Sequence, residues 1–169
     1  MRTRLRTRGR ARSMQEVDVS SENVDPPDWL PDPVRIARVV CHELGRERWA
    51  VSLLLCDENR IQELNRTYRR TDEPTDVLTF AADEQRGVDD TEAAIEGDVA
   101  VSLPTVERNA AAFEVPVIEE FLRVYVHALL HLAGYTHDGY DLSSANAMDH
   151  PMLGLQERLV KQLDKEFLS

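Results

Sequence analysis

Cysteine is nearly absent: Cys41 and Cys56 are the only two, and neither stands in a C-x-x-C pair. Isolated thiols on apolar elements read as small buried hydrophobes, which argues against a structural disulfide. Long apolar runs are absent too. No run approaches the length of a membrane span, and the arginine-rich start is followed by no apolar signal-peptide core, so a cytoplasmic protein is expected. Positive charge is scarce, with 20 basic against 31 acidic residues and a net charge of -11. Such a chain has no general attraction to polyanions or anionic membranes, and any contact with nucleic acid must be local.

The scarce positive charge is also unevenly placed. Arg2, Arg4, Arg6, Arg8, Arg10 and Arg12 precede Met14, which leaves residues 14–169 with 14 basic and 31 acidic side chains, a net -17. A head of that composition has no apolar period and is expected to be disordered. Two readings of it stand open: an RNA-binding arm, or a dispensable extension ahead of a start at Met14. No internal repeat or other low-complexity segment is present. At 169 residues and 42% hydrophobic composition, the chain suffices for one well-buried domain.

What is present is concentrated in one stretch, His127-Ala128-Leu129-Leu130-His131-Leu132-Ala133-Gly134-Tyr135-Thr136-His137-Asp138. Read as a helix ending at a glycine, it places His127 and His131 one turn apart on one face. Gly134 supplies the left-handed residue that ends the helix and turns the chain, so that His137 swings back towards the other two. From Phe121 to Ala133 only Arg123 and the two histidines are polar, so the helix should be buried. Three buried imidazoles need a common partner, and zinc with an open fourth position is an arrangement of catalytic sites. Nickel, cobalt and iron accept imidazole as well. The spacing is that of the metzincin proteases, H-E-x-x-H-x-x-G-x-x-H, except that Ala128 replaces the glutamate that serves them as general base. Peptidase chemistry loses its base while the metal site survives.

Around this motif the chain reads as an α+β single domain, one small mixed β-sheet packed with about five helices, the zinc site lying at the end of a buried central helix. Residues 1–28 are expected to form a flexible tail, with 15–28 an acidic linker, and the folded domain to span 29–169. Asp32 caps a first helix with Pro33 at its first position, Ile36, Ala37, Val40, Cys41 and Leu44 form its stripe, and Gly45 closes it. His42 falls off that stripe and reads as a surface residue. Trp49 to Cys56 is a strand, and Asp57 caps a second helix to about Arg70, with Ile61, Leu64 and Tyr68 on its buried face. Arg66, Arg69 and Arg70 cluster at its end, the densest basic patch of an acidic body. A turn at 71–75 leads to a short strand at 76–80. A loop from Asp83 to Glu96 with six acidic residues leads to a half-buried strand at 97–103. Pro104 and Pro116 open the next two helices, and a last helix runs from about Asn146 with Met152, Leu155, Leu159 and Leu163 on one stripe.

The histidine stretch resembles the signature of the bacterial YbeY family, the metal-dependent rRNA maturation endoribonucleases. Two further blocks carry the resemblance, Asn65-Arg66-Thr67-Tyr68-Arg69-Arg70-Thr71-Asp72-Glu73-Pro74-Thr75-Asp76-Val77-Leu78-Thr79-Phe80 and Gly97-Asp98-Val99-Ala100-Val101-Ser102. It extends from about Trp29 to the C-terminus. Thr136, Thr79 and Ala81 stand where the family usually has Asp, Ser and Pro, and none of these changes removes a ligand. The resemblance implies that His127, His131 and His137 bind one zinc ion and that Arg69 is the functional arginine beside it. It further implies hydrolysis of single-stranded RNA, maturation of the 3′ end of 16S rRNA, ribosome quality control, and contacts with the small ribosomal subunit and its assembly factors, with neither membrane nor DNA as partner.

In that setting Arg69 would neutralise phosphate charge, its planar fork matching phosphate oxygens. The general base stays open. Asp138 is one candidate, orientation of a histidine by Asp138 or a plain loop role is another, and the RNA 2′-hydroxyl as nucleophile would lessen the need for a protein base. Two competing readings remain. One is a non-enzymatic assembly factor with a structural zinc, which needs a fourth ligand from Cys41, Cys56 or His150; the other is a zinc hydrolase of another substrate.

Overall fold

The computed structural model describes residues 14–83, 87–90, 92–136 and 150–168. Its central strand pair forms where branched and apolar residues crowd: β2 (Trp49–Cys56) lies parallel to β4 (Ile95–Ser102), with Trp49 opposite Ile95 and Cys56 opposite Ser102. β1 (Gln15–Glu22) adds in parallel on the outer side of β2, and β3 (Val77–Ala81) adds antiparallel to β4, giving the order β1-β2-β4-β3. The expected mixed sheet is therefore present, four strands wide.

β1 corrects the expectation of a flexible tail through residue 28. Q-E-V-D-V-S-S-E offers only two apolar side chains, of which Val17 packs on the core while Val19 is 40% exposed. The strand is held by main-chain pairing to β2, an interaction with a segment thirty residues away that leaves no local pattern. Residues 1–13 lie outside the described residues. β4 is also more deeply buried than a half-buried strand, since Val99, Ala100, Val101 and Ser102 are all enclosed on a central strand.

The two sheet faces have different fates. Odd-numbered residues of β2 and β4, including Val51, Leu53, Leu55, Val99 and Val101, join the main core. That core is closed by α1 (Pro33–Glu43), α4 (Val117–Leu132) and α5 (Pro151–Phe167), with α3 (Leu103–Phe113) against α4. On the opposite face α2 (Glu58–Arg69) packs Ile61 and Leu64 onto Cys56, Leu78 and Ala100. α2 covers that face only in part and leaves a cleft of about 720 Å³ over β1, β2 and β4.

Local signals set the helix ends. Asp32 accepts from the Val34 amide at 2.9 Å, and Asp57 accepts from the Arg60 amide at 2.8 Å. α5 begins at Pro151 rather than near Asn146, because His150 is its cap, its Nδ1 accepting from the Met152 amide at 3.0 Å. Residues 146–149 lie outside the described residues. His42 is exposed, as its position off the α1 stripe implies. No helix among the described residues is long and apolar enough to cross a membrane.

Candidate active site

α4 is the buried central helix. All its residues from Phe121 to Leu132 are enclosed except Arg123, His127 and His131, which are partly exposed. Its end is a complete Schellman turn: the Tyr135 amide donates to Leu130 O at 3.1 Å and the Gly134 amide to His131 O at 3.0 Å, with Gly134 at φ 103°. The turn also carries the Tyr135 carbonyl back to the His131 ring, whose Nδ1 lies 2.9 Å from it. The same glycine that stops the helix therefore orients a histidine.

The second histidine is oriented from another element. His127 Nδ1 lies 2.7 Å from Gln156 Oε1 on α5, and the Gln156 amide nitrogen donates to Glu157, which directs its oxygen at the ring. Both Nδ1 atoms thus face oxygens that only accept, so both carry the proton and both Nε2 atoms present lone pairs. Those Nε2 atoms lie 3.0 Å apart, the rings nearly perpendicular at 80°. Two ring nitrogens at that distance can share a proton or a metal ion. An imidazole pair with outer nitrogens anchored by a carbonyl and an amide could hold a metal ion, although no group of three metal-binding side chains comes together among the described residues. His137 and Asp138 lie outside the described residues.

Arg69 reaches the neighbourhood by another route. It closes the last turn of α2, and Arg70 ends that helix in the left-handed region at φ 57°. Its guanidinium donates to Thr79 O on β3 and lies 5.1 Å from the centre of the Phe80 ring. β3 packs against α4 on its other side, with Val77 and Ala81 turned to the main core and Leu78 and Phe80 to α2. A single short strand separates the arginine from the histidine helix. The turn before β3 is pinned to α2: buried Asn65 donates to Glu73 O at 2.9 Å, and Gln62 to Asp72 Oδ1 at 3.1 Å. Arg66 makes only a long, exposed ion pair with Asp72 at 3.9 Å, and Arg70 is exposed.

The cysteines offered as extra ligands are occupied elsewhere. Cys41 is sealed in the main core, and burial pushes its thiol up to about 12. Burial, reinforced by Asp57 and Glu22, does the same to Cys56, whose thiol donates to Val101 O at 3.6 Å. Ala128, where metzincins carry their glutamate, is fully buried in the core.

The model of the family described as Endoribonuclease YbeY matches residues 27–164. The chain belongs to that family. Among curated relatives, Endoribonuclease YbeY of Treponema pallidum is 37% identical over 153 residues, covering 88% of this chain and 90% of the relative. The Treponema denticola protein of the same description is 38% identical over 146 residues, covering 84% and 90%. In fold, the solution structure of a Thermotoga maritima protein matches with a TM-score of 0.62 at 28% identity, over 90% of this chain and 91% of that one. A YbeY chain is an endoribonuclease, so RNA is its substrate class.

Two residues around the candidate site of this YbeY chain escaped the sequence reading, and a third was misplaced. Gln156 sits on the buried stripe of α5 beside Met152 and Leu159, and a lone amide interrupting an apolar stripe was the available signal. Arg46, only 5% exposed, donates to the carbonyls of Ala93, Val88 and Ala133 and so clasps the end of α4 to the loop before β4; nothing local announces it. Tyr68 was expected on the buried face of α2 but is 50% exposed, because it stands past the covered end of that helix with only Phe80 beneath it.

Proposed function

We propose that this chain is a zinc-dependent endoribonuclease of single-stranded RNA that matures the 3′ end of 16S rRNA and serves ribosome quality control in the cytoplasm. Its partners on this reading are the small ribosomal subunit and associated assembly factors. The observation that carries it is the pair of Nε2 atoms turned towards each other, 3.0 Å apart, with both Nδ1 atoms anchored. His127, His131 and His137 would hold one zinc ion, which supplies Lewis acidity towards water and phosphoryl oxygens when bound.

The chain's own residues do the rest. Gln156 and the Tyr135 carbonyl keep the two rings in the tautomer that leaves Nε2 unprotonated. Arg69, steadied by Thr79 O and Phe80, holds a planar cation on the β3 side, where it neutralises phosphate charge as it builds in the transition state. The acidic body weakens RNA affinity and makes it salt-dependent, since within the described residues the basic end of α2 is a local attraction on an acidic surface.

The test is cleavage of a single-stranded RNA spanning the 3′ end of precursor 16S rRNA by wild type and His131→Ala purified identically. Cleavage by wild type alone, abolished by a chelator and restored by zinc, is the expected result. Equal cleavage by both preparations, or by neither, would overturn the reading.

A further inference from the structure

At the end of α2 the chain places two aromatic rings and the Arg69 guanidinium together against β3. Tyr68 meets Phe80 edge to face with centroids 5.3 Å apart, and Arg69 lies over the same Phe80 ring at 5.1 Å. Tyr68 and Phe80 line the cleft, and half of the tyrosine's surface faces solvent. Leaving a large aromatic half exposed is costly, and here the ring is braced by Phe80 instead of collapsing into the core.

Charge selects the occupant. Arg69 stands over Phe80 at this end of the cleft, while Asp98, opposite Phe80 in the β3–β4 ladder, and Asp18 and Glu22 on β1 make the floor acidic, with Arg60 as the one basic lining residue. A phosphate therefore finds its cation at Arg69, above the rings, and is repelled from the floor of the cleft. An apolar peptide would find Leu54, Leu64 and Ala100 in the cleft, but set among the carboxylates of Asp18, Glu22 and Asp98. A flat π-face beside guanidinium groups is what an unstacked nucleobase and its phosphate require.

We propose that Tyr68, braced by Phe80, is a stacking platform that holds one base of single-stranded RNA on the cleft side of β3, next to Arg69. This deepens the endoribonuclease reading and rests on it. β3 lies between the platform and α4, so a strand stacked there passes over the β3 edge, past Arg69, towards the histidine helix. The platform would fix the register of the strand across the site by gripping a base of any identity, which makes the preference for single strands a property of Tyr68: a base inside a duplex has both faces stacked on its neighbours.

The test measures binding of an eight-nucleotide oligoadenylate carrying 2-aminopurine at successive positions to zinc-loaded wild type, Tyr68→Phe and Tyr68→Ala, with cleavage of the same RNA followed in parallel. Stacking should quench the probe at one position in wild type and in Tyr68→Phe, and Tyr68→Ala should lose that quench and bind about tenfold more weakly. An oligonucleotide made abasic at the quenched position should bind wild type and Tyr68→Ala equally. If Tyr68→Ala binds oligoadenylate like wild type, or loses as much affinity for the abasic strand, the platform is refuted while chelator-sensitive cleavage by wild type leaves the nuclease reading intact. If wild type neither binds nor cuts RNA, the platform falls together with the reading beneath it.

Discussion

Gly97 offers the sharpest perturbation, because it couples the sheet to the histidine helix. A β-carbon built there falls on the carbonyl oxygen of Phe80, and meets Leu132 Cδ2 at 2.7 Å and Ala81 Cα at 3.1 Å. Two of those three neighbours are backbone of β3, which is pinned by its ladder to β4 and cannot rotate away. The third lies within the Schellman turn and follows His131 directly. Overpacking a sheet against its own backbone costs about 2–3 kcal/mol. For a domain of this size, each kcal/mol lowers Tm by about 2–4 °C, so Gly97→Ala should melt about 5–10 °C below wild type. The stability assay is calorimetry of chelated protein, which separates folding from metal binding. The site assay is competition for zinc with a chromophoric chelator, where displacement of Leu132 and with it His131 should weaken affinity about tenfold or more. Gly87→Ala is the control, since no atom of the described residues lies within 4 Å of a β-carbon there, and it should match wild type in both assays. A Gly97→Ala protein that melts within about 1 °C of wild type would refute the packing argument. One that melts early but keeps its zinc affinity would show that the β3–β4 spacing does not reach the site.

Other residues give independent tests. Gln156→Leu keeps the side-chain volume but leaves His127 Nδ1 without its acceptor, so zinc affinity should fall about 10–100-fold while Gln156→Glu retains it. Arg69→Ala should reduce RNA cleavage about a hundredfold with zinc content unchanged, as measured by initial rates and metal analysis. Arg123 pairs with Glu119 and Glu120 on its own helix and joins α4 to α5 through Glu157, at 2.8 to 3.3 Å. Burial pushes the Glu157 carboxyl up, but Arg123 outweighs it and leaves it below the usual range. The stabilisation from that pair is therefore complete above the ordinary carboxylate pKa and lost as pH falls through the depressed one. Glu120, raised by burial against the pull of Arg123, acts in the opposite sense and favours folding at low pH. Arg123→Met should then cost about 2–3 kcal/mol near neutrality, and urea midpoints should converge with wild type below about pH 4. A gap independent of pH would refute the assignment to the ion pairs.

Where a signal is local, the amino-acid order sufficed. The i,i+4 histidines, the Gly134 stop, the Asp32 and Asp57 caps and the β2 run depend only on residues within a turn or two, and their elements stand where those residues put them. Family membership was legible for the same reason, because short blocks of fixed spacing carry it. Tertiary structure alone decided which distant groups meet. β1 exists because β2 offers an unpaired edge to an acidic segment with little apolar character of its own. Gln156 reaches His127 across 29 residues because α5 packs on α4, and Arg46 reaches Ala133 across 87 because the loop before β4 closes over the end of the histidine helix. Tyr68 continues the helical period of Ile61 and Leu64 yet stays half exposed, because periodicity says which side of a helix is apolar and not how far the neighbouring sheet extends beneath it.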